Sequence, residues 1–489
     1  MPNKQKYIYL LGGLSTSQEF SVYSHTIDTC ERAVKERLFY VSDGKGGFVE
    51  PPKPKRYIFN QRLKTVESYL RKTIQYAAPL TREQFLGSYE GRRRAVYTDA
   101  MDSLLVKSLT WKDAILRYFI KVEKTDFTAK PNAVPRGINP RNPRYHVSIG
   151  PYIKRIEKNL YRKINELFGR KTIFKGLNSE QRGKHLRDHW ESFAQPVAVG
   201  LDASRFDQHV SEDALRWEHG IYKLYFPRDK AFHKMLKWQI NNTGVAYCTD
   251  GKLKYKKYGG RMSGDMNTAL GNCTLMSSMV YAYLEFKGIK GALANDGDDC
   301  VVMMEAYELE HFMEGLSSWF LDMGFNMTIE SPVYDFEQIE FCQCNPIYVD
   351  GGYIMVRSIN KALAKDCVSI KPLDNDKVAR KWLAAVAEGG MSLTGGIPIW
   401  QEFYKCLSVS AKGAKPLRGD PTQETGMSMM AKDMHRKYKK ISSYTRYSFY
   451  VATGVSPDMQ VAFEEVYKKV TLNTSVISTE RHTLRTDWL

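Results

Sequence analysis

The apolar positions in the second half of the chain form short solid runs and helical stripes, an order that predicts strands interleaved with helices. "PVAVGLD" (196–202) is a short apolar strand ending at Asp202. Ser211 then stands as an N-cap, with Glu212 and Asp213 in the positive first turn. Ala214, Trp217, Ile221 and Leu224 recur on one face up to Pro227, so a helix follows the strand. After the glycine-rich loop "YGGRMSGD", Asn267 to Phe286 reads as a largely buried helix ending near Gly288. "GALAN" and "CVVMME" are two apolar runs joined by Asp-Gly-Asp-Asp, a hairpin signal. Glu308 to Met323 reads as one amphipathic helix, with Phe312, Leu316, Trp319, Phe320 and Met323 on its apolar side. "IEFCQCNPIYVDGGYIMVR" predicts a second hairpin turning at Asp350-Gly351-Gly352, with Cys342 and Cys344 alternating along a strand. Beyond about residue 370 the pattern is mainly helical, with basic clusters such as "HRKYKK" (435–440).

Upstream the pattern is less regular. Ser42 to Tyr57, rich in Pro, Gly and Lys, reads as a loop between an N-terminal arm and the body. Residues 121–170 carry twelve basic side chains against the acids Glu123, Asp126, Glu157 and Glu166. Within them "KPNAVPRGINPRNPRYH" has too many prolines for a helix and is expected to be an extended basic loop or ribbon.

Composition narrows the partners. The chain has 489 residues, 43% of them apolar, enough for a large core divided over about two to four subdomains. Lys and Arg number 72 against 54 Asp and Glu, a net +18 that favours an anionic polymer, nucleic acid before a membrane surface. Eight scattered cysteines include no C-x-x-C pair and no ligands at finger spacing, so no zinc site is expected and the plain reading is a reduced, intracellular protein. No run approaches the ~20 apolar residues of a membrane span, and the N-terminus lacks a signal-peptide pattern. Any membrane attachment is expected to be peripheral or borrowed from a partner.

The chemistry lies in three motifs. "LANDGDDCVV" (293–302) puts Asp296, Asp298 and Asp299 around one glycine, where like charges repel and burial raises their pKa values. Alone, Gly297-Asp298-Asp299 is a tight turn with solvated acids. Alone, "DASRFD" is a strand exit carrying Asp202 and Asp207. Alone, Ser263, Gly264, Thr268 and Asn272 of "SGDMNTALGN" are a glycine loop capping a helix. In this order, however, paired strands would bring Asp202, Asp298 and Asp299 to one sheet edge. Carboxylates on rigid strand ends suit hard, oxygen-seeking Mg²⁺, and two such ions about 3.5–4 Å apart promote phosphoryl transfer. Mn²⁺ is the expected substitute.

The motifs "KPNAVPRGINPRNPRY", "GLDASRFDQHVS", "SGDMNTALGNC", "NDGDDC", "IEFCQCNPI" and "GIPIWQEFY", in that order over about residues 130–404, resemble the RNA-dependent RNA polymerases of plus-strand RNA viruses, most of all the tombusvirus type. The resemblance implies an α+β right-hand fold with a palm sheet of antiparallel strands flanked by helices. It implies an N-terminal arm and fingers at 1–195 with a nucleotide-entry loop at 121–145. The palm would be 196–357, with a fingers insertion at about 228–260, and a mainly helical thumb would be 358–489. Carried across, Asp202 and Asp298 are the main metal ligands, assisted by Asp299. Asp207 and Asn272 read the ribose 2′-hydroxyl, and Ser263 and Thr268 shape that pocket. Arg136, with Lys124, Lys130 and Arg141, holds the incoming triphosphate. The Cys342–Arg357 hairpin supports the end of the growing strand. Expected partners are template and product RNA, NTPs, and a viral membrane-anchoring replication protein or host membrane factors. The expected place is host cytoplasm, in membrane-associated replication complexes, with primer-independent initiation.

No lysine lies between Phe325 and Cys344, where some polymerases of this class keep the acid that protonates pyrophosphate; Lys361 and Lys365 are the nearby alternatives. Two rival readings share parts of the pattern. A reverse transcriptase would share the metal acids but exclude the 2′-hydroxyl with bulk, where this chain has polar Asp207 and Asn272. A non-catalytic RNA-binding or coat protein would explain +18 but not the ordered acids. No G-x-x-x-x-G-K-[ST] loop occurs, which argues against an NTPase within the chain.

Overall fold

A computed structural model describes residues 7–12, 19–418 and 427–479. The chain is a mixture of helices and largely antiparallel sheets. Its central feature is a four-stranded antiparallel sheet ordered Ala292–Asp296, Asp299–Glu305, Pro196–Ala203, Met327–Ile329. These strands read as solid apolar runs because both faces are covered. Val197, Val199, Leu201, Leu293, Val302 and Met304 face the largest core, shared with the helices Pro143–Phe168 and Thr268–Lys287. Ala198, Ala292, Ala294, Val301 and Met303 face a second cluster with Phe174, Leu186, Trp190, Phe336 and Phe341. The helix Thr268–Lys287 has buried residues on every side and ends at Gly288 in the left-handed conformation (φ +68°), as its sequence predicts. Ser211 caps the helix Glu212–Tyr225 by accepting the Ala214 N–H at 3.1 Å.

A second four-stranded sheet is ordered Gly251–Tyr258, Asn241–Cys248, Leu116–Ile120, Gly137–Ile138. Here Leu116–Ile120 runs parallel to Asn241–Cys248, while the other pairings are antiparallel. The proline-rich basic stretch divides in two. It is extended through the short strand Gly137–Ile138, then enters the helix Pro143–Phe168 capped by Asn142. Pro143 occupies the first turn, where a missing N–H costs nothing, so the expectation of an extended segment fails from that point.

Two further expectations change. Glu308–Met323 is not one helix: Leu309–Met313 and Leu316–Asp322 are separated by Gly315 at φ +74°. Its apolar stripe is nonetheless buried as predicted. The second hairpin pairs Cys344–Val349 with Gly352–Arg357 through Asp350 and Gly351, both at positive φ, as a two-residue I′ turn requires. Cys342 and Gln343 precede it at φ +52° and +59°, so the two cysteines do not alternate along a strand.

The C-terminal helices Asp376–Thr394, Trp400–Ser410, Ser443–Thr453 and Pro457–Lys469 gather around Trp382, Trp400, Phe403, Tyr404 and Phe449. The strand Asn473–Thr479 returns to pair with Ile8–Gly12, which ties the two ends of the described chain together. Among the described residues no helix is long and apolar enough to cross a membrane.

Candidate active site

The register of the central sheet converges the acids. Asp202, next to last in its strand, lies directly opposite Asp299, and Asp299 lies opposite Asp296 across the hairpin end. The turn between them is Gly297-Asp298, with Gly297 at φ +87°, where a glycine is nearly obligatory. Like charges facing each other across strands destabilise a sheet unless something offsets them.

For Asp296 the protein supplies the offset. Lys175 Nζ lies 2.9 Å from one carboxylate oxygen and the Arg182 guanidinium grips the other. Burial pushes this carboxyl up, but the two cations outweigh it and hold it below its ordinary value. Asp298 and Asp299 have no such partner. Burial raises the Asp298 carboxyl first, and the charges of Asp207 and Asp202 add to it. The Asp299 carboxyl is raised to about 6 by burial, despite accepting the Cys342 N–H at 2.9 Å, and Asp298 and Glu330 contribute. A cavity of about 460 Å³ opens here, lined among others by Asp202, Asp298, Asp299, Glu330 and Lys361.

Glu330 is an acid the sequence did not single out. It lies over Gly200, where a Cβ would come within 2.0 Å of its carboxylate. Burial raises its carboxyl, with Glu340 and Asp202 adding to the effect. Asp202, Asp298, Asp299 and Glu330 line one cavity, and their carboxylate oxygens are hard donors of the type a Mg²⁺-class cation takes. Lys361 reaches the same cavity and pairs with Glu340 at 2.5 Å, whereas Lys365 presents its carbonyl to Lys124.

A larger adjoining cavity joins the second motif to the first, with Asp207, Ser263, Thr268, Asn272, Gly297 and Asp298 in one wall. Asn272 donates to Asp207 Oδ1 at 2.8 Å, and the Ser263 hydroxyl donates to the other oxygen. Thr268 bonds the Asp265 carbonyl at 2.9 Å and so fixes the loop before the helix. Beneath them runs a second layer that sequence reasoning missed. Arg261 donates to Asn272 Oδ1 at 2.9 Å and pairs with the fully buried Glu218. Tyr222 and Asn267 complete the Glu218 carboxylate at 2.7 and 3.1 Å. One signal was present: Glu218 sits four residues after Ala214, an acid on the buried stripe of its helix.

The four basic candidates separate. Arg136 lines the larger cavity beside Arg37, Lys175 and Arg205, and meets Glu123 at 3.3 Å. Lys130 is exposed and absent from that lining. Lys124 donates to the Lys365 carbonyl at 2.7 Å, and burial lowers its ammonium to about 8. Arg141 is buried, bonding Asp265 through two nitrogens at 2.6 and 2.9 Å and Asn242 at 2.7 Å. The structure thus brings Arg136 to the cavity and leaves the other three away from its lining.

The chain is 41% identical over 466 residues to an RNA-directed RNA polymerase of Tobacco necrosis virus (strain A), covering 95% of this chain and 64% of that protein. It is 39% identical over 469 residues to the Maize chlorotic mottle virus RNA-directed RNA polymerase, covering 96% of this chain and 49% of the relative. For that of Melon necrotic spot virus the identity is 41% over 476 residues, covering 96% and 60%. The chain therefore spans about half to two thirds of the length of these relatives. The family described as "Viral RNA dependent RNA polymerase" matches residues 1–475, and the chain belongs to that family.

Proposed function

We propose that this chain performs RNA-templated RNA synthesis for a plus-strand RNA virus, transferring nucleotides from NTPs to an RNA 3′-hydroxyl. The observation that carries the reading is the register of Asp202 against Asp299, with Asp298 at the turn, beside a cavity that holds Asp207 and Asn272. Asp202 and Asp298, assisted by Asp299, would hold Mg²⁺ or Mn²⁺. Bound there as a pair, such ions supply charge stabilisation for the attacking and leaving oxygens. The side chains do the positioning. Asp207 accepts from and Asn272 donates to a ribose 2′-hydroxyl, which is both donor and acceptor. Arg136, Arg37 and Arg205 present positive charge to a triphosphate entering the same cavity.

In right-hand terms the central sheet is the palm, the sheet around Leu116–Ile120 belongs to the fingers, and the C-terminal helices form the thumb. The +18 charge fits RNA as template and product. Initiation without a primer, and recruitment to host membranes through an anchoring partner, belong to the same reading. The test is nucleotide incorporation on an RNA template by the purified chain with Mg²⁺, beside Asp298→Ala. Incorporation by the parent and its loss in the variant support the assignment. Equal incorporation by both sinks it.

A further inference from the structure

Far from the acids, three side chains with soft or imidazole donors converge although the sequence separates them by up to 223 residues. His25 precedes the N-cap Thr26 of the helix Ile27–Val34, and Cys30 lies one turn into that helix. Cys248 ends the strand Asn241–Cys248 of the second sheet. Cys30 Sγ is 3.3 Å from His25 Nδ1 and 3.5 Å from Cys248 Sγ. All three donor atoms lie within 4.8 Å of one another. Cys30 and His25 are buried, and Cys30 packs in a mainly apolar cluster with Ala33, Val34, Leu116, Ile120 and Ala246.

We infer that His25, Cys30 and Cys248 form a binding site for a soft divalent cation of the zinc class. The spacing fits. Zinc bonds of about 2.3 Å to sulfur and about 2.0 Å to nitrogen, at tetrahedral angles, put sulfur atoms about 3.8 Å apart and sulfur and nitrogen about 3.5 Å apart. The observed 3.5 and 3.3 Å need only a few tenths of an ångström of expansion, and the third pair, the His25 ring nitrogen and Cys248 Sγ, lies within 4.8 Å. Thiolate and imidazole donors select zinc over Mg²⁺, so this site and the acid cavity would not compete for one ion.

The Ile120 N–H now reaches His25 Nδ1 at 3.3 Å, a long bond that ligation exchanges for the metal. The frame around the site is already tied. Thr249 N–H donates to the His25 carbonyl at 3.1 Å, and Ile27 N–H donates to Asp250 Oδ1 at 2.9 Å. Asp250 is the neighbouring carboxylate whose charge reaches all three groups, and water would complete the fourth position. Both thiols give up their protons on binding.

The consequence is mechanical. The helix that carries Cys30 leads directly to Arg37 and Leu38, which line the larger cavity with Tyr118 and Arg136. A metal here would staple the N-terminal arm to the sheet bordering that cavity. Sequence spacing misses such a site because Cys248 lies 218 residues beyond Cys30.

Metal content of the full chain, purified with zinc and then desalted, tests the site without RNA or nucleotide, so its outcome is independent of the polymerase reading. The expected result is about one zinc per chain in the parent and in Asp298→Ala, and none in Cys248→Ser. Should Cys248→Ser fail to fold, the parent alone decides: zinc should slow alkylation of Cys248 at least about tenfold, and a chelator should restore it. A metal-free parent, zinc retained by folded Cys248→Ser, alkylation indifferent to chelator, or a Cys30–Cys248 disulfide in place of metal would each overturn the inference.

Discussion

The two sides of one hairpin tip treat the same residue type in opposite ways. On one side Asp296 meets Lys175 and Arg182, and its carboxyl is held below the ordinary value. On the other, Asp298 and Asp299 face Asp202 and Glu330, and their carboxyls are pushed up. Only Gly297 separates Asp296 from Asp298. A buried charge that the fold pairs internally is structural, whereas a buried charge left with like neighbours stores a deficit that a cation from outside can offset. The Glu218–Arg261 pair repeats the first case beneath the larger cavity, where Tyr222 and Asn267 leave the carboxylate fully served. Acid without a cationic partner, more than acid as such, sets the cavity side of the tip apart.

The largest break in that contrast comes from its unpaired side. Asp298→Ala should lower nucleotide incorporation by at least about a hundredfold, since a lost metal ligand removes several kcal/mol of charge stabilisation. RNA binding, read by filter retention, should stay within about twofold, because phosphate contacts dominate it. Wild-type rates in this variant would mean that the unpaired acids are not the metal ligands.

The paired side should answer in stability instead. Arg182→Ala leaves Asp296 with Lys175 alone, and we expect a loss of about 2 kcal/mol, less than the 3–5 typical when a buried charge loses its sole partner. Urea denaturation monitored by tryptophan fluorescence measures it. An unchanged midpoint would show that the pair contributes nothing.

Asn272→Ala should act on sugar choice. It removes the donor to Asp207 and frees Arg261 Nε, so the preference for ribo- over deoxyribonucleotides should narrow about tenfold in kcat/KM. Equal losses for both sugars would make Asn272 a packing residue.

The smallest effect is in pH. In the metal-free chain native Asp299 keeps its proton to about 6, while the unfolded chain releases it near 3.8. The native state therefore binds more protons between those values, and stability falls as pH rises through the window. Asp296, with its lowered carboxyl, runs the other way: its contribution is present above 3.8 and is lost as pH falls through its folded value. Melting temperatures of the chelator-treated protein should show a shallower fall across that window in Asp299→Asn than in the parent. Parallel curves would remove Asp299 as the titrating group.

Much of this site was legible because its information is local. The solid apolar runs around Val197–Leu201 and Cys300–Met304 revealed strands, and Gly297 between acids revealed the turn. Ser211, Asn272 and Gly288 followed from capping and helical spacing. The misses have local causes too. Gly315 at positive φ breaks a stripe whose periodicity continues across it, and Pro143 begins a helix in a stretch read as extended. Arg141 carried the expected charge but lies beside Asp265, 124 residues away, which no basic cluster announces.

By itself, then, the sequence determined the strand that Asp202 closes, the hairpin tip that carries Asp298 and Asp299, and the helices that flank them, because periodicity and turn chemistry act over a few residues. Tertiary structure alone decided which charges found partners, Lys175 and Arg182 at Asp296 and Arg261 at Glu218, and which groups were gathered, Glu330 over Gly200 and His25 with Cys30 and Cys248. Charge compensation and ligand geometry depend on separations of a few ångströms between residues far apart in the chain, and no local pattern encodes those separations.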